Sequence, residues 1–249
     1  MFLFQPPPPT RYDLNFSLAG IPVRVHPLFW LIAVLLGSSG DILLLPIWVL
    51  VIFVSILVHE LGHALAFRRY GQESRIVLHF AGGLTIPEPV SWGSGYANVA
   101  HSPNQQIFIS LAGPGAGFGL AALVIGFVLI TGGSVGTTWL LGLIPLPLNA
   151  LMPFGGRILN VLVSLLLWVN VFWGLINLVP VYPLDGGNVS RHLILKADPM
   201  DGVRKSLWIS VIAGVLVALA GLLLLRSLYM ALLFGFLAFQ SYQSLQGRF

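Results

Sequence analysis

Long apolar runs, broken at a few sharp points by charge, glycine or proline, organise this chain. The hydrocarbon core of a bilayer is about 30 Å thick and takes roughly 20 apolar helical residues to cross. Runs of that kind occupy Leu43–Phe67, Gln106–Ile130, Leu159–Leu178 and Leu207–Leu225, with shorter ones at Pro27–Leu36 and Leu228–Phe239. The pattern predicts about six transmembrane helices. The first is short unless it extends back through Ile21 or forward past Gly40. The second stops at Arg68-Arg69-Tyr70-Gly71, a basic last turn followed by glycine, which is how helices end.

Two connections read differently from loops. Ile76–Pro87 places two short apolar runs around Gly82-Gly83, the signature of a β-hairpin. Thr138–Pro153 is apolar but interrupted by Pro145, Pro147 and Pro153. It is too short to span and is expected to lie at the outer interface or to re-enter the membrane. At the start, Pro6–Pro9 predicts a short polyproline segment. With no basic region before it, Met1–Thr10 does not read as a cleaved signal peptide.

Composition agrees with the pattern. Of 249 residues, 57% are hydrophobic and 8% charged, against about 25% charged in soluble domains. The fold class expected is an all-α polytopic membrane protein with a small membrane-associated β-hairpin. It forms a single domain over 1–249, with 1–20 as an N-terminal cytoplasmic segment and 21–249 as membrane core. No polar block has the length of an inserted soluble module, and no C-terminal regulatory domain is expected. The absence of cysteine removes disulfides, thiolate metal sites and cysteine nucleophiles. Twelve scattered Lys and Arg residues do not make the basic face that nucleic-acid binding needs. Their placement carries orientation instead. With the N-terminus inside, Arg11, Arg24, Arg68, Arg69, Arg75, Arg191, Lys196, Arg204, Lys205 and Arg248 fall on one side and only Arg157 and Arg226 on the other. By the positive-inside rule both termini face the cytoplasm, in what the compact core suggests is a prokaryotic cell membrane.

A charge within a membrane is costly, so each one needs a reason. Of the eight acidic residues, two lie in or at the edge of an apolar run: Glu60 and Asp185. Glu60 belongs to His59-Glu60-Leu61-Gly62-His63. Spacing of i and i+4 puts both imidazoles on one helix face, where they can reach one ion, with Glu60 beside them as candidate general base for a water acidified by zinc. The alternative is a pair of neutral buried histidines bonded to backbone or Ser55. His59 precedes Arg68 by nine residues, which places the metal about 10–14 Å below the cytoplasmic face. A catalytic zinc takes three protein ligands. The candidate third is Asp185, beyond the helix-breaking Pro180 and Pro183 and before Gly186-Gly187. The alternative there is an Asp N-cap for a helix over Asn188–Lys196. His79, in the hairpin, could line the site, and the structural reading is the favoured one.

Together, His59-Glu60-Leu61-Gly62-His63 on one helix and Asn177-Leu-Val-Pro-Val-Tyr-Pro-Leu-Asp185-Gly on a later one resemble the site-2 protease family of intramembrane metalloproteases. Gly20–Pro27 resembles the lead into that family's first helix, Phe80–Leu84 its membrane-associated hairpin, and Ser110–Pro114 the opening of its third helix. The resemblance implies that His59, His63 and Asp185 bind one zinc ion and that Glu60 activates water. It further implies that Asn177 helps hold the scissile segment or its oxyanion. Its members cut transmembrane helices of other proteins, often after a first cut by another protease. A helical substrate must unwind first, and the hairpin, at Gly82, Gly83 and Leu84, would accept the extended chain by strand addition. One departure is Phe118, where the third helix often carries asparagine. Expected partners are a transmembrane protein substrate and membrane lipid, with room for an accessory membrane protein. The competing class is a divalent-cation transporter or channel using the same His, Glu and Asp residues.

Overall fold

In the computed structural model the described residues are 6–37, 41–92, 95–97, 101–140, 142 and 144–247. The extreme N-terminus, the 38–40 stretch into which the first helix had room to extend, and Arg248 lie outside them. Seven α-helices occur among the described residues: α1 (Pro27–Gly37), α2 (Leu45–Arg69), α3 (Pro103–Ile130), α4 (Gly156–Asn177), α5 (Asp185–Ala197), α6 (Gly202–Leu223) and α7 (Leu228–Leu245). The strands are β1 (Leu14–Leu18), β2 (Ile21–Val25), β3 (Ser74–His79), β4 (Gly82–Pro87), β5 (Val90–Trp92), β6 (Gly95–Ala97), β7 (Ser134–Leu140) and β8 (Ile144–Leu151). Two compact units result: the described residues of Met1–Ala100 with Gly115–Gly174, and His101–Pro114 with Leu175–Phe249.

In the first unit, β1 to β4 form one sheet in sequence order. β1 and β2 pair antiparallel from Leu18↔Ile21 outward, β2 runs parallel to β3, and β3 turns back into β4 with His79 opposite Gly82. Ile21, Val23 and Val25 alternate inward along β2, as a half-buried strand requires. They pack with Ile76, Leu78, Phe29 of α1, and Ile56, Leu57 and Ala64 of α2. The sheet thereby lies along α2, and β3 and β4 both touch that helix. Beside the sheet, Arg24 meets Asp13 at 3.1 Å. Burial works to raise the Asp13 carboxyl, but hydrogen bonds from Thr10 and Arg24 win and hold it below the ordinary range.

The end of α2 follows from its sequence. Gly71 takes φ +76°, and the amides of Gly71 and Gln72 bond back to the carbonyls of Arg68 and Phe67 at 3.0 and 3.1 Å. This is the reversal that glycine closes without a Cβ clash. A second core joins Val124 and Val128 of α3, Leu146, Leu148 and Ala150 of β8, and Val163 and Leu167 of α4. Within the Thr138–Pro153 stretch, the end of β7 and all of β8 pair as an antiparallel ribbon that begins at Ser134. Pro145 and Pro147 fit because an antiparallel strand points every second N–H away from its partner.

The second unit pairs α6 with α7 and sets α5 on α6. Gly214 lies against Ala238, and Gly221 against Met230, so small residues bring the two backbones close. Among the described residues four helical stretches are long and apolar enough to cross a membrane: Ile42–Arg69, Pro103–Ile130, Gly156–Asn177 and Gly202–Leu223. α1 has only 11 residues, and the last turns of α7 carry Gln240, Ser241, Gln243 and Ser244.

Candidate metal centre

His59, Glu60 and His63 sit on successive turns in the C-terminal half of α2, with 5%, 6% and 8% of their surfaces exposed. The two Nε2 atoms are 3.2 Å apart and the ring centroids 4.9 Å apart, with the planes at 78°. Nitrogens bound at 2.0–2.1 Å to a single tetrahedral ion stand about 3.3–3.4 Å apart. The imidazole pair therefore fits zinc by spacing as well as by donor chemistry. Ser55, one turn earlier, accepts a 2.9 Å hydrogen bond from the side-chain amide of Asn170 on α4, which also donates to the Leu166 carbonyl.

Glu60 faces the hairpin. The Thr85 hydroxyl on β4 lies 2.7 Å from its Oε2 and 3.0 Å from its backbone carbonyl. Gly83, two residues earlier on the same strand, is so close that a Cβ there would stand 2.4 Å from Glu60 Cγ and 2.5 Å from Oε1. Gly82 instead adjoins Trp173 of α4. At the hairpin turn the Ala81 amide donates to His79 Nδ1 at 3.4 Å. Burial above all, with the His26 and Arg24 charges adding to it, keeps the His79 imidazole below its ordinary pKa. His79 is thus buried in the hairpin turn and bonded to its backbone. Phe118, at the position where the resemblance leads one to expect asparagine, packs its ring against Gly174 of α4. The neighbouring Gly117 adjoins Asn170 instead. An amide on α4 therefore lies next to this part of α3.

Within the second unit, Asn177 is the buried last residue of α4. The chain then turns tightly through Tyr182-Pro183, a cis peptide, to Asp185 at the start of α5. The N-cap is Leu184, without a side-chain cap bond. Asp185 is thus inside the first turn rather than the cap, where the helix dipole still favours its carboxylate. The turn is tied down on several sides. The Tyr182 amide donates to Ser210 Oγ at 3.1 Å, the Asn188 side chain to the Pro183 carbonyl at 3.3 Å, and the Arg191 guanidinium lies 3.9 Å over the Tyr182 ring. Gly186 and Gly187 have backbone where a Cβ would be, at 2.1 Å and 2.4 Å.

The sequence pattern alone does not point to Thr85, Asn170 or Arg191 for these positions. Asn170 carries a usable signal, an amide inside an apolar run. Thr85 carries none, because a hydroxyl in a strand is ordinary.

Comparison with known proteins bears on this geometry. The model of peptidase family M50 matches residues 47–220, well over half of the chain. A putative zinc metalloprotease of Synechocystis is 31% identical over 193 residues, 72% of this chain and 43% of that protein. A zinc metalloprotease of Methanocaldococcus jannaschii is 28% identical over 73% of this chain and 45% of its own length. A putative zinc metalloprotease of Mycobacterium tuberculosis is 29% identical over 82% and 42%. This chain thus spans less than half the length of the curated relatives it matches. The solved structure of a site-2 protease from Methanocaldococcus jannaschii shares the fold, with a TM-score of 0.56 at 22% identity, covering 94% of this chain and 95% of that one. With its apolar helices and the HExxH residues inside the matched segment, the chain is a multi-pass membrane protein belonging to peptidase family M50, the site-2 protease family.

Proposed function

We propose that this protein is an intramembrane zinc endopeptidase that hydrolyses peptide bonds within or near transmembrane segments of other proteins. The observation that carries the reading is the buried imidazole pair, 3.2 Å apart at Nε2, flanking a buried glutamate in an apolar helix. His59 and His63 supply two ligands and Asp185 the third. Asp185 is supported by its anomalous position at the edge of an apolar run and by the tightly packed turn that carries it. When bound, zinc acidifies a water and polarises the scissile carbonyl. Glu60 accepts the proton of the attacking water and returns it to the leaving nitrogen, so one water is consumed per bond cut. The Asn177 amide donates to the developing oxyanion. β4, at the edge of its sheet, offers unpaired backbone to an unwound substrate segment near Gly82, Gly83 and Leu84.

In the same reading the shorter helices α1 and α7 complete six passes, both termini and the site open to the cytoplasm, and the membrane is a prokaryotic cell membrane. Family membership speaks against the cation-transporter alternative. The test is cleavage of a single-helix transmembrane substrate by purified wild type and Glu60→Gln, with zinc measured in both. Cleavage by wild type alone, with zinc in both, is the expected result. Cleavage that survives in Glu60→Gln would remove Glu60 from the chemistry, and a zinc-free wild type would remove the metal site.

A further inference from the structure

Thr85 is 25 residues from Glu60 in sequence and in a strand rather than a helix, yet its hydroxyl reaches both Oε2 and the carbonyl of that residue. A hydroxyl has one proton to give. The Glu60 carbonyl already accepts within the α2 ladder, whereas Oε2 lies outside that ladder. The shorter contact, 2.7 Å to Oε2, is the one that the proton serves. Residues i and i+2 of a strand share a face, and Gly83 occupies the other half of the same contact. It leaves open the space that Cγ and Oε1 of Glu60 fill. One residue grips the carboxylate and its neighbour makes room for it, so together they select a single arrangement of a side chain that otherwise rotates about three bonds.

We propose that Thr85 is a positioning residue for proton transfer by Glu60, anchoring Oε2 from the hairpin while Gly83 keeps the carboxylate's berth clear. The proposal rests on the reading of Glu60 as the proton-transfer group. It gives β4 a further role, since the strand orients the base in addition to any part it takes in docking substrate. Misplacement of a reacting group by about 1 Å costs on the order of 100-fold in rate, which sets the scale expected for losing the anchor.

The test uses the full chain, purified in detergent, with zinc content and cleavage kinetics on the same single-helix substrate. Thr85→Val keeps the shape and removes the hydroxyl. It is expected to lower kcat about 10- to 100-fold, with KM within about twofold of wild type and zinc unchanged. Thr85→Ser, which restores the hydroxyl, is expected to recover most of that loss. Unchanged kcat in Thr85→Val, equal loss in Thr85→Ser, or a rise in KM alone would each overturn the proposal. An active Glu60→Gln would instead sink the reading of Glu60 itself, whereas an inactive Glu60→Gln beside a fully active Thr85→Val would sink only the role of Thr85. A second readout needs no activity. In zinc-free protein, Thr85→Val should lower Tm, and the shift should shrink towards zero in a Glu60→Ala background. Equal shifts in both backgrounds would mean that Thr85 merely supports the fold.

Discussion

Asp185 and the two glycines behind it make one unit at the residue scale. A Cβ on Gly186 would stand 2.1 Å from the Leu178 carbonyl oxygen, and neither backbone segment can yield without opening the turn. Gly186→Ala is expected to destabilise the protein by about 1–3 kcal/mol, read as a lower Tm in zinc-free samples. An unchanged Tm would show that the turn relaxes at little cost. Asp185→Asn keeps the size of the side chain and removes its charge, so it tests ligation rather than packing. Zinc content should fall well below one per chain, and full retention would exclude Asp185 as the third ligand. Glu60 and Asp185 are legible from sequence because a carboxylate in an apolar run is physically anomalous. Thr85 and Gly83 are less so. A neutral hydroxyl and a strand glycine are ordinary residues, and only the packing of β4 on α2 shows what they do to Glu60.

Among the elements, helices are far easier to read from sequence than strands. Twenty apolar residues in a row leave few alternatives in a bilayer, and α2, α3, α4 and α6 lie within a few residues of the stretches their sequence suggests. The β1–β2 arm and the β7–β8 ribbon are not legible in the same way. β1 and β2 contribute only five residues each. Pro145 and Pro147 argue against a strand, and only the structure shows Leu146, Leu148 and Ala150 alternating towards the core. The polar pin between α2 and α4 belongs to this scale. Asn170 bonds Ser55 at 2.9 Å, one turn from His59, and such pairs contribute about 0.6–2 kcal/mol within membranes. Asn170→Leu should therefore lower Tm modestly, and an equal or higher Tm would show that packing alone holds the two helices. The hairpin has its own pH dependence. The folded state keeps the His79 pKa below 6.5, so the unfolded chain takes up the proton first as pH falls through that value. Stability is full above about pH 6.5 and declines below it. The fall in Tm between pH 7.5 and 5.5 should be smaller in His79→Gln, and an identical fall would assign the effect to other groups.

For the molecule as a whole, sidedness is the property that decides what the site can meet. Asp41, ahead of α2, pairs with Arg157 at the start of α4 at 2.8 Å, so these two helices begin at the same face. Arg68 and Arg69 close α2 at its other end, 25 residues on, or about 37 Å at helical rise. Ten of twelve basic residues fall on the side of Arg68 in the proposed topology, and the positive-inside rule makes that side cytoplasmic. In that proposed topology His59 would lie roughly 10–14 Å below the cytoplasmic surface. The chain has no cysteine, so single cysteines introduced at exposed positions report sidedness without background. In intact cells, a membrane-impermeant maleimide should label Thr137→Cys in β7 and spare Thr10→Cys and Glu73→Cys, and all three should react after lysis. The reverse pattern would turn the protein over and put the metal centre near the outer surface. Cleavage would then release the outer part of a substrate rather than a cytoplasmic one. Labelling of Thr10→Cys and Glu73→Cys on opposite faces would be more damaging, because both flank the single sheet formed by β1 to β4 and belong on one side of the membrane.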